Sequence, residues 1–484
     1  MKQKSIKLNF IMNAILQISA FIFPLITFPY VSRILGPSGT GNVSFATSIV
    51  TYFALFAQLG IPTYGIRATA RVRDDKELLS KTVQEIFIIN AVMCVLAYFV
   101  FFVVLNLVPK MYNDKVLFII ISSTILFNSV GMDWLYKGLE KYTYITFVSI
   151  IFKFIALILM FVCVHHKNDY VIYGAISIFA ASASNICNLV NIHKLIYIKP
   201  IFNYEFTKHF RPIMIFFAMS CATTIYTNLD TVMLGFMKDN VEVGYYNAAI
   251  KIKNVLLGVV TSLGTVLLPR ASYYIENNMY SEFKRIAGKA LNFVVLISFP
   301  LCLYFILFAK EGVLFLSGDA YTEAILPMQI LMPTLIFIGL TNIMGIQMLI
   351  PLGKEKVVLY SEIAGAIVDL AINTVLIPIM ASSGAAIGTL VAEMVVWIVQ
   401  YIALKEDVKE TYVKIRYLPI VIGLAISALF SMPIKLLGLS SFFTLLLSAI
   451  VFFGIYLVVL TVAKEKLVNE IEFQILEKIL KKGE

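Results

Sequence analysis

The chain has 484 residues, of which 60% are hydrophobic and only 14% charged, with a mean hydropathy of +0.88. Soluble domains keep about a quarter of their residues charged and under half apolar, so this composition excludes a water-soluble globule and points to a polytopic membrane protein. A formal net charge of +10 would suit nucleic acid, but the placement of the charge excludes that partner.

A membrane-spanning helix needs about 20 apolar residues. In chain order the apolar runs predict an all-α protein of about fourteen transmembrane helices, near residues 8–32, 43–64, 84–108, 116–135, 144–164, 171–193, 212–236, 244–268, 289–309, 325–350, 358–380, 385–404, 417–437 and 441–463. With the amino terminus inside, about 29 of the 39 Lys and Arg fall in cytoplasmic segments, about seven outside and three within helices. That asymmetry is the positive-inside rule, clearest at Arg67, Arg71, Arg73, Lys76 and Lys81. The basic charge therefore sets topology: inner (cytoplasmic) membrane, both termini cytoplasmic, no nucleic acid. The first apolar stretch is too long and too Pro-interrupted for a cleavable signal. Pro24 and Pro29 are expected to interrupt helix 1, Pro333 helix 10 and Gly423 helix 13. Beyond residue 464, Leu467, Ile471, Ile475 and Ile479 recur at helical spacing, which predicts an amphipathic tail along the cytoplasmic surface.

Two local matches suggest an internal duplication. Leu35-Gly36, Gly41, Phe45-Ala46 and Ile49 correspond to Leu234-Gly235, Gly244, Ala248-Ala249 and Ile252; Gly138-Leu139-Glu140-Lys141 corresponds to Gly353-Lys354-Glu355-Lys356. They join equivalent places in two six-helix units of one orientation. The expectation is an N-lobe over 1–202 (helices 1–6) and a C-lobe over 203–404 (helices 7–12) around a central cavity. Helices 13 and 14 and the tail, 405–484, stand outside the repeat.

Enzymatic readings fail early. Gly353-Lys354 has Met348 where a P-loop needs its first glycine. His165, His166, His193 and His209 lie at helix ends or in loops without zinc-ligand spacing, and read as solvated. The five Cys (94, 163, 187, 221, 302) sit unpaired in apolar runs and read as buried thiols. The longest external segment, 310–323, is too short for a catalytic loop. No enzyme, metal or cofactor is expected.

What remains is charge inside the membrane, where each ionisable group costs at least a few kcal/mol. Lys153 falls mid-helix, as does Asp369, with Glu362 and Asn373 on the same face; Glu393 lies midway along helix 12. Asp230, Lys251 and Lys253 sit about 10 Å from the outer boundary. The second repeat offset carries Lys153 onto Val368, beside Asp369, so the halves place a cation and an anion at nearly equivalent depths. Ser182, Asn185 and Asn188 form a polar stripe that suits either a sugar-binding wall or interhelical hydrogen bonding. The basic residues Lys153, Lys251 and Lys253, with Arg33 and Arg270 at helix ends and Asn185 and Asn188, are expected to hold an anionic head group. Asp369, Glu393, Glu362 or Asp230 would bind a driving cation. An alternative for Asp230 is a packing salt bridge to Lys251.

The stretches PLITFPYVSRILGPSGTG (24–41), GIRATARVRDDKELLSKTVQEIFIIN (65–90) and DWLYKGLEKY (133–142) resemble the Wzx-type polysaccharide flippases. These are the oligosaccharidyl-lipid exporters of the MOP superfamily, which also holds the MATE drug exporters and the lipid II flippases. The resemblance implies transport of undecaprenyl-diphosphate-linked oligosaccharide repeat units across the cytoplasmic membrane, for capsule or O-antigen-type polysaccharide. It further implies alternating access coupled to a proton or sodium gradient, contact with membrane lipids, and a polymerase and chain-length regulator as partners. The family's motifs fall on Arg33, Gly36, Arg67, Arg71, Gly138 and Glu140, where gating or structural roles are implied. A multidrug exporter of the same superfamily would carry cavity acids and few buried lysines, so three lysines inside helices favour an anionic cargo; a lipid II or teichoic-acid precursor would fit the same chemistry.

Overall fold

A straight 53-residue helix would run about 80 Å, more than twice the ~30 Å hydrocarbon layer. The first helix, α1 (Ile6–Gln58), accordingly breaks, at Gly36 with φ 64° and ψ −176°. This computed structural model describes residues 6–262 and 264–470. The expected interruptions at Pro24 and Pro29 do not occur: helical geometry runs through both, and the break waits for the residue without a Cβ. Most of the tail, including Ile471, Ile475 and Ile479, lies outside the described residues.

By its internal contacts the chain divides into Met1–Gly244 and Tyr245–Glu484. In the first unit, α2 (Ile61–Arg71) follows a left-handed Leu59-Gly60 pair (φ 45° and 69°), so the expected second span ends at residue 58 rather than 64. Its Ile61, Tyr64, Gly65, Ala68 and Thr69 are buried, while Arg67 and Arg71 are exposed. That is the pattern of a short interfacial helix. There follow α3 (Lys76–Leu107), α4 (Pro109–Asn113), α5 (Lys115–Gly131), α6 (Asp133–Gly138), α7 (Tyr142–Cys163), α8 (Tyr170–Ser182), α9 (Ser184–Asn191) and α10 (Thr207–Met237). Asp75 caps α3, its carboxylate accepting from the Glu77 and Leu78 amides. α1 is the hub, packing against α3, α5, α7, α8 and α10. The face of α3 at Val95, Phe99 and Val103 is instead exposed, as a lipid-facing stripe should be.

The two glycine corners matched in the sequence pack against each other. A Cβ on Gly41 would lie 1.6 Å from the Asn240 carbonyl oxygen, one on Gly244 2.1 Å from that of Pro37, and one on Gly235 2.0 Å from the Phe45 ring. Asn240 Nδ2 also donates to Asn42 Oδ1 at 2.7 Å. Lys110 closes the corner: its ammonium donates to the Gly235 carbonyl near the end of α10 and sits 5.1 Å from the Phe45 ring centroid.

The second unit runs through α11 (Asn240–Thr261, whose first turn belongs to the first unit), α12 (Gly264–Glu276), α13 (Tyr280–Leu307), α14 (Ala309–Ser317), α15 (Ile325–Leu331) and α16 (Thr334–Thr341). It ends with α17 (Glu355–Lys414), α18 (Tyr417–Ser431) and α19 (Ser441–Val462). The chain bends by 46° near Pro333, between Asp319–Leu331 and Thr334–Leu349, where a break was expected. Gly423 does not break α18; a Cβ there would lie 3.0 Å from the Tyr456 ring, so it lets α18 and α19 approach. α17 folds back at Ala381 (φ 49°, ψ −126°) into antiparallel rods, 355–380 and 382–414. Gly384 meets Leu376, Gly388 meets Asn373 and Asp369, and Gln400 Nε2 donates to Ser361 Oγ at 3.1 Å. Gly384 and Gly388, four apart, give the small-residue face that close helix approach in membranes requires.

Among the described residues no strand occurs. Among those residues ten helices are long and apolar enough to cross a membrane, or eleven with the bent pair; two of the ten contain the breaks at Gly36 and Ala381. The chain is an all-α, polytopic membrane protein.

Candidate functional site

Lys153 lies mid-way along α7 and turns toward α1, where its ammonium donates to Ser19 Oγ at 2.8 Å. It is half-buried, and among the described residues no carboxylate pairs with it. An ammonium at this depth held by one hydroxyl keeps donors for an anion and has no charge compensation of its own. In the same unit Asn185 and Asn188 are buried on α9. Asn185 Nδ2 donates to Asn128 Oδ1 at 3.1 Å, and the Asn188 carbonyl accepts from the Tyr136 hydroxyl at 2.6 Å. The Asn185 side chain thus joins α9 to α5, and the Asn188 backbone joins it to α6. Arg33 is exposed and donates to the Pro29 carbonyl one turn back; Asp230 is buried on α10.

In the second unit the helical hairpin collects the acids. Asp369 is 1% exposed and accepts from Asn373 Nδ2 at 3.1 Å, both pressed against Gly388. Glu393 is buried one turn beyond Thr389, whose hydroxyl lies 2.8 Å from that of Tyr246 on α11. Glu362, seven residues before Asp369, is half-buried. Lys253 is buried and Lys251 half-buried on α11, whereas Arg270 on α12 is exposed. Asp230, Lys251, Lys253, Asp369 and Glu393 each contact a polar, charged or aromatic partner. A cavity of about 680 Å³, lined by Lys284, Lys289, Arg416, Asp407, Glu465 and others, is a different matter. There Lys284 pairs with Asp407 at 3.0 Å and Lys289 with Glu470 at 2.6 Å, so both of these cations already hold carboxylates, and Arg416 donates to the Ala463 carbonyl.

The sequence reading missed one cluster altogether. Glu85 on α3 is fully buried and accepts from His209 Nε2 at 2.8 Å, Lys208 Nζ at 2.9 Å and the Glu205 amide at 2.8 Å. His209 Nδ1 lies 2.6 Å from the Tyr64 hydroxyl. His209 is therefore no solvated loop histidine: a neutral ring donating to Glu85 and accepting from Tyr64 satisfies both nitrogens. The cluster ties α2, α3 and the start of α10 together above a core that includes Trp134, Tyr136 and Ile213. The available signal was Glu85 inside an apolar run with Lys208-His209 at the mouth of another, 124 residues away.

The chain as a whole has counterparts. A family model described as "Polysaccharide biosynthesis protein" matches residues 6–275, and the MatE model matches 215–375. A candidate O-antigen transporter of Escherichia coli (strain K12) is 26% identical over 397 residues, 81% of this chain and 95% of its own length. Its counterpart in Shigella dysenteriae is 28% identical over 414 residues, 81% of this chain and 98% of its own. Among solved structures, the lipid II flippase MurJ in an inward closed conformation superposes with a TM-score of 0.71 at 15% identity, covering 95% of this chain and 100% of MurJ. An inward-facing MATE multidrug transporter of the MOP superfamily gives 0.61 at 13% identity, covering 84% and 99%. These two show the fold, while the family match over more than half the sequence places the whole: the chain belongs to the polysaccharide biosynthesis protein family.

Proposed function

We propose that this protein is a flippase, not an enzyme, and moves undecaprenyl-diphosphate-linked oligosaccharide repeat units from the inner to the outer face of the cytoplasmic membrane. The observation that carries the reading is Lys153, an intramembrane cation held by the Ser19 hydroxyl rather than by a carboxylate. A diphosphate cannot cross hydrocarbon bare, because desolvating its charge costs too much. Basic groups replace its hydration while the lipid tail stays in the bilayer: Lys153 is the candidate in the first unit, Lys251 and Lys253 are those in the second. The buried acids Asp369 and Glu393, with Glu362 and Asp230, are the candidate sites for a coupling proton or sodium ion. Such an ion drives alternating access only if it binds one conformation more tightly than the other. In this reading the rods at Gly36 and Ala381 each count as two crossings. With α11 and the bent pair, that gives fourteen spans and cytoplasmic termini.

The test reads lipid-linked intermediates in a strain lacking the gene, in both leaflets, with a membrane-impermeant glycosidase. Wild type should deliver the oligosaccharide to the outer face and Lys153→Ala should lower delivery at least tenfold at equal protein level. Delivery undiminished in Lys153→Ala refutes the residue's role. Intermediates reaching the outer face without the protein, together with new sensitivity to cationic drugs, would replace the flippase with a drug exporter.

A further inference from the structure

Within the first unit a cavity of about 350 Å³ opens between the second rod of α1, the start of α2, α5, α8 and α10, at the small end of the range for ligand pockets. Its fifteen lining residues include no charged side chain. Two of its hydroxyls are already spent: Thr47 donates to the Val43 carbonyl and Thr51 to that of Thr47, at 2.7 and 2.8 Å. The others are open. Thr124 Oγ1 is shielded from solvent yet has no hydrogen-bond partner. Asn128 uses its oxygen to accept from Asn185 and keeps its NH₂ for another acceptor. Gln58, Ser220 and Thr224 also line the cavity; the Thr224 carbonyl accepts from Asn228 Nδ2 at 3.1 Å, but among the described residues the side chains of these three make no hydrogen bond of their own. Against these stand the aliphatic walls of Val50, Leu55, Ile121 and Ile178.

Uncharged donors and acceptors converging over an aliphatic floor suit a ligand that is neutral and dense in hydroxyls, with apolar C–H faces. A cationic drug finds no carboxylate here, and a diphosphate finds no cation. We infer that this pocket is a sugar subsite: it holds a neutral hexose or acetamido-hexose of the cargo through Gln58, Thr124, Asn128, Ser220 and Thr224, apart from the lysines assigned to the diphosphate. The inference deepens the flippase reading and rests on it for the source of the sugar. It also accounts for the buried Asn185, which positions Asn128 rather than touching the ligand.

The experiment is saturation-transfer NMR on the full-length protein in nanodiscs, with glucose, galactose and N-acetylglucosamine as probes and glucuronate and tetraphenylphosphonium as charged controls. At least one neutral sugar should receive saturation, and binding should weaken at least fivefold, the scale of a lost hydrogen bond or two, in Ser220→Ala/Thr224→Val and in Asn128→Leu. Because Asn128→Leu also strips Asn185 of its partner, the double variant, which removes only open hydroxyls, decides if the two disagree. No transfer from any neutral sugar, or equal transfer in the double variant, overturns the subsite. Sugar binding in a protein that delivers no oligosaccharide in cells would leave the subsite standing and remove the flippase reading; delivery without sugar binding would do the reverse.

Discussion

Replacing Glu85 by Ala removes the acceptor of three hydrogen bonds at once, and the geometry says how much of that is felt. Lys208 is 38% exposed and Glu205 is at the surface, so the ammonium and the amide are rehydrated at little cost. His209 is 2% exposed, so its Nε2 proton has no water to turn to. An orphaned buried donor costs about 1–3 kcal/mol, and the small void left by the carboxylate adds to it. The sum is about 2–3 kcal/mol, and at 2–4 °C per kcal/mol for a body of this size the thermal midpoint in nanodiscs should fall by about 5–10 °C. Glu85→Gln keeps an acceptor for His209 and should lose about half as much. Glu140→Gln is the control, because the Arg73–Glu140 pair at 2.9 Å is 39% and 47% exposed and exposed pairs contribute under about 1 kcal/mol. If Glu85→Ala shifts the midpoint no more than Glu140→Gln, the cluster does not hold α2, α3 and α10 together and the reasoning fails.

The glycine corner gives a sharper contrast: Gly41→Ala should prevent accumulation of folded protein, whereas Gly258→Ala, with nothing within 4 Å of its Cβ, should leave it unchanged, both read by size-exclusion profile. Gly388→Ala should cost stability by prising Asn373 and Asp369 from the opposing rod, the new Cβ lying 2.2 Å from Asn373 Oδ1; the thermal midpoint reads it. Burial lowers the Lys110 ammonium below its usual 10.5. Between that lowered value and 10.5 the unfolded chain binds more protons than the folded one, so this residue's contribution to stability should rise with pH through the window. Thermal midpoints of wild type and Lys110→Met across that window should diverge accordingly.

What the sequence made legible follows from how local each signal is. Apolar runs and charge asymmetry are properties of contiguous residues, so the helices and the membrane class could be read directly. The position of Lys153 in its helix was legible for the same reason. Breaks were harder. Proline marks a lost hydrogen bond but not a change of direction, so Pro24 and Pro29 misled while Gly36 turned the chain. Nothing local marks Ala381, whose left-handed φ is imposed by the antiparallel packing of its two rods. Glu85 and His209 were unreadable as a pair because their partnership exists only across 124 residues. The open polar groups around Thr124 come from three separate helices, α1, α5 and α10, each with an unremarkable polar residue or two.

The hairpin at Ala381 also bears on how the protein enters its membrane. The turn at 380–383 is Met-Ala-Ser-Ser, without charge, so translocating it carries no ion across the hydrocarbon. Asp369 arrives already hydrogen-bonded to Asn373 on its own rod and covered by Gly388 of the next. The most deeply buried charged side chain among the described residues of the second unit thus finds shelter within one insertion unit, without needing any other helix. Biogenesis of this segment as a pair, rather than helix by helix, is the route on which the acid need never face lipid alone.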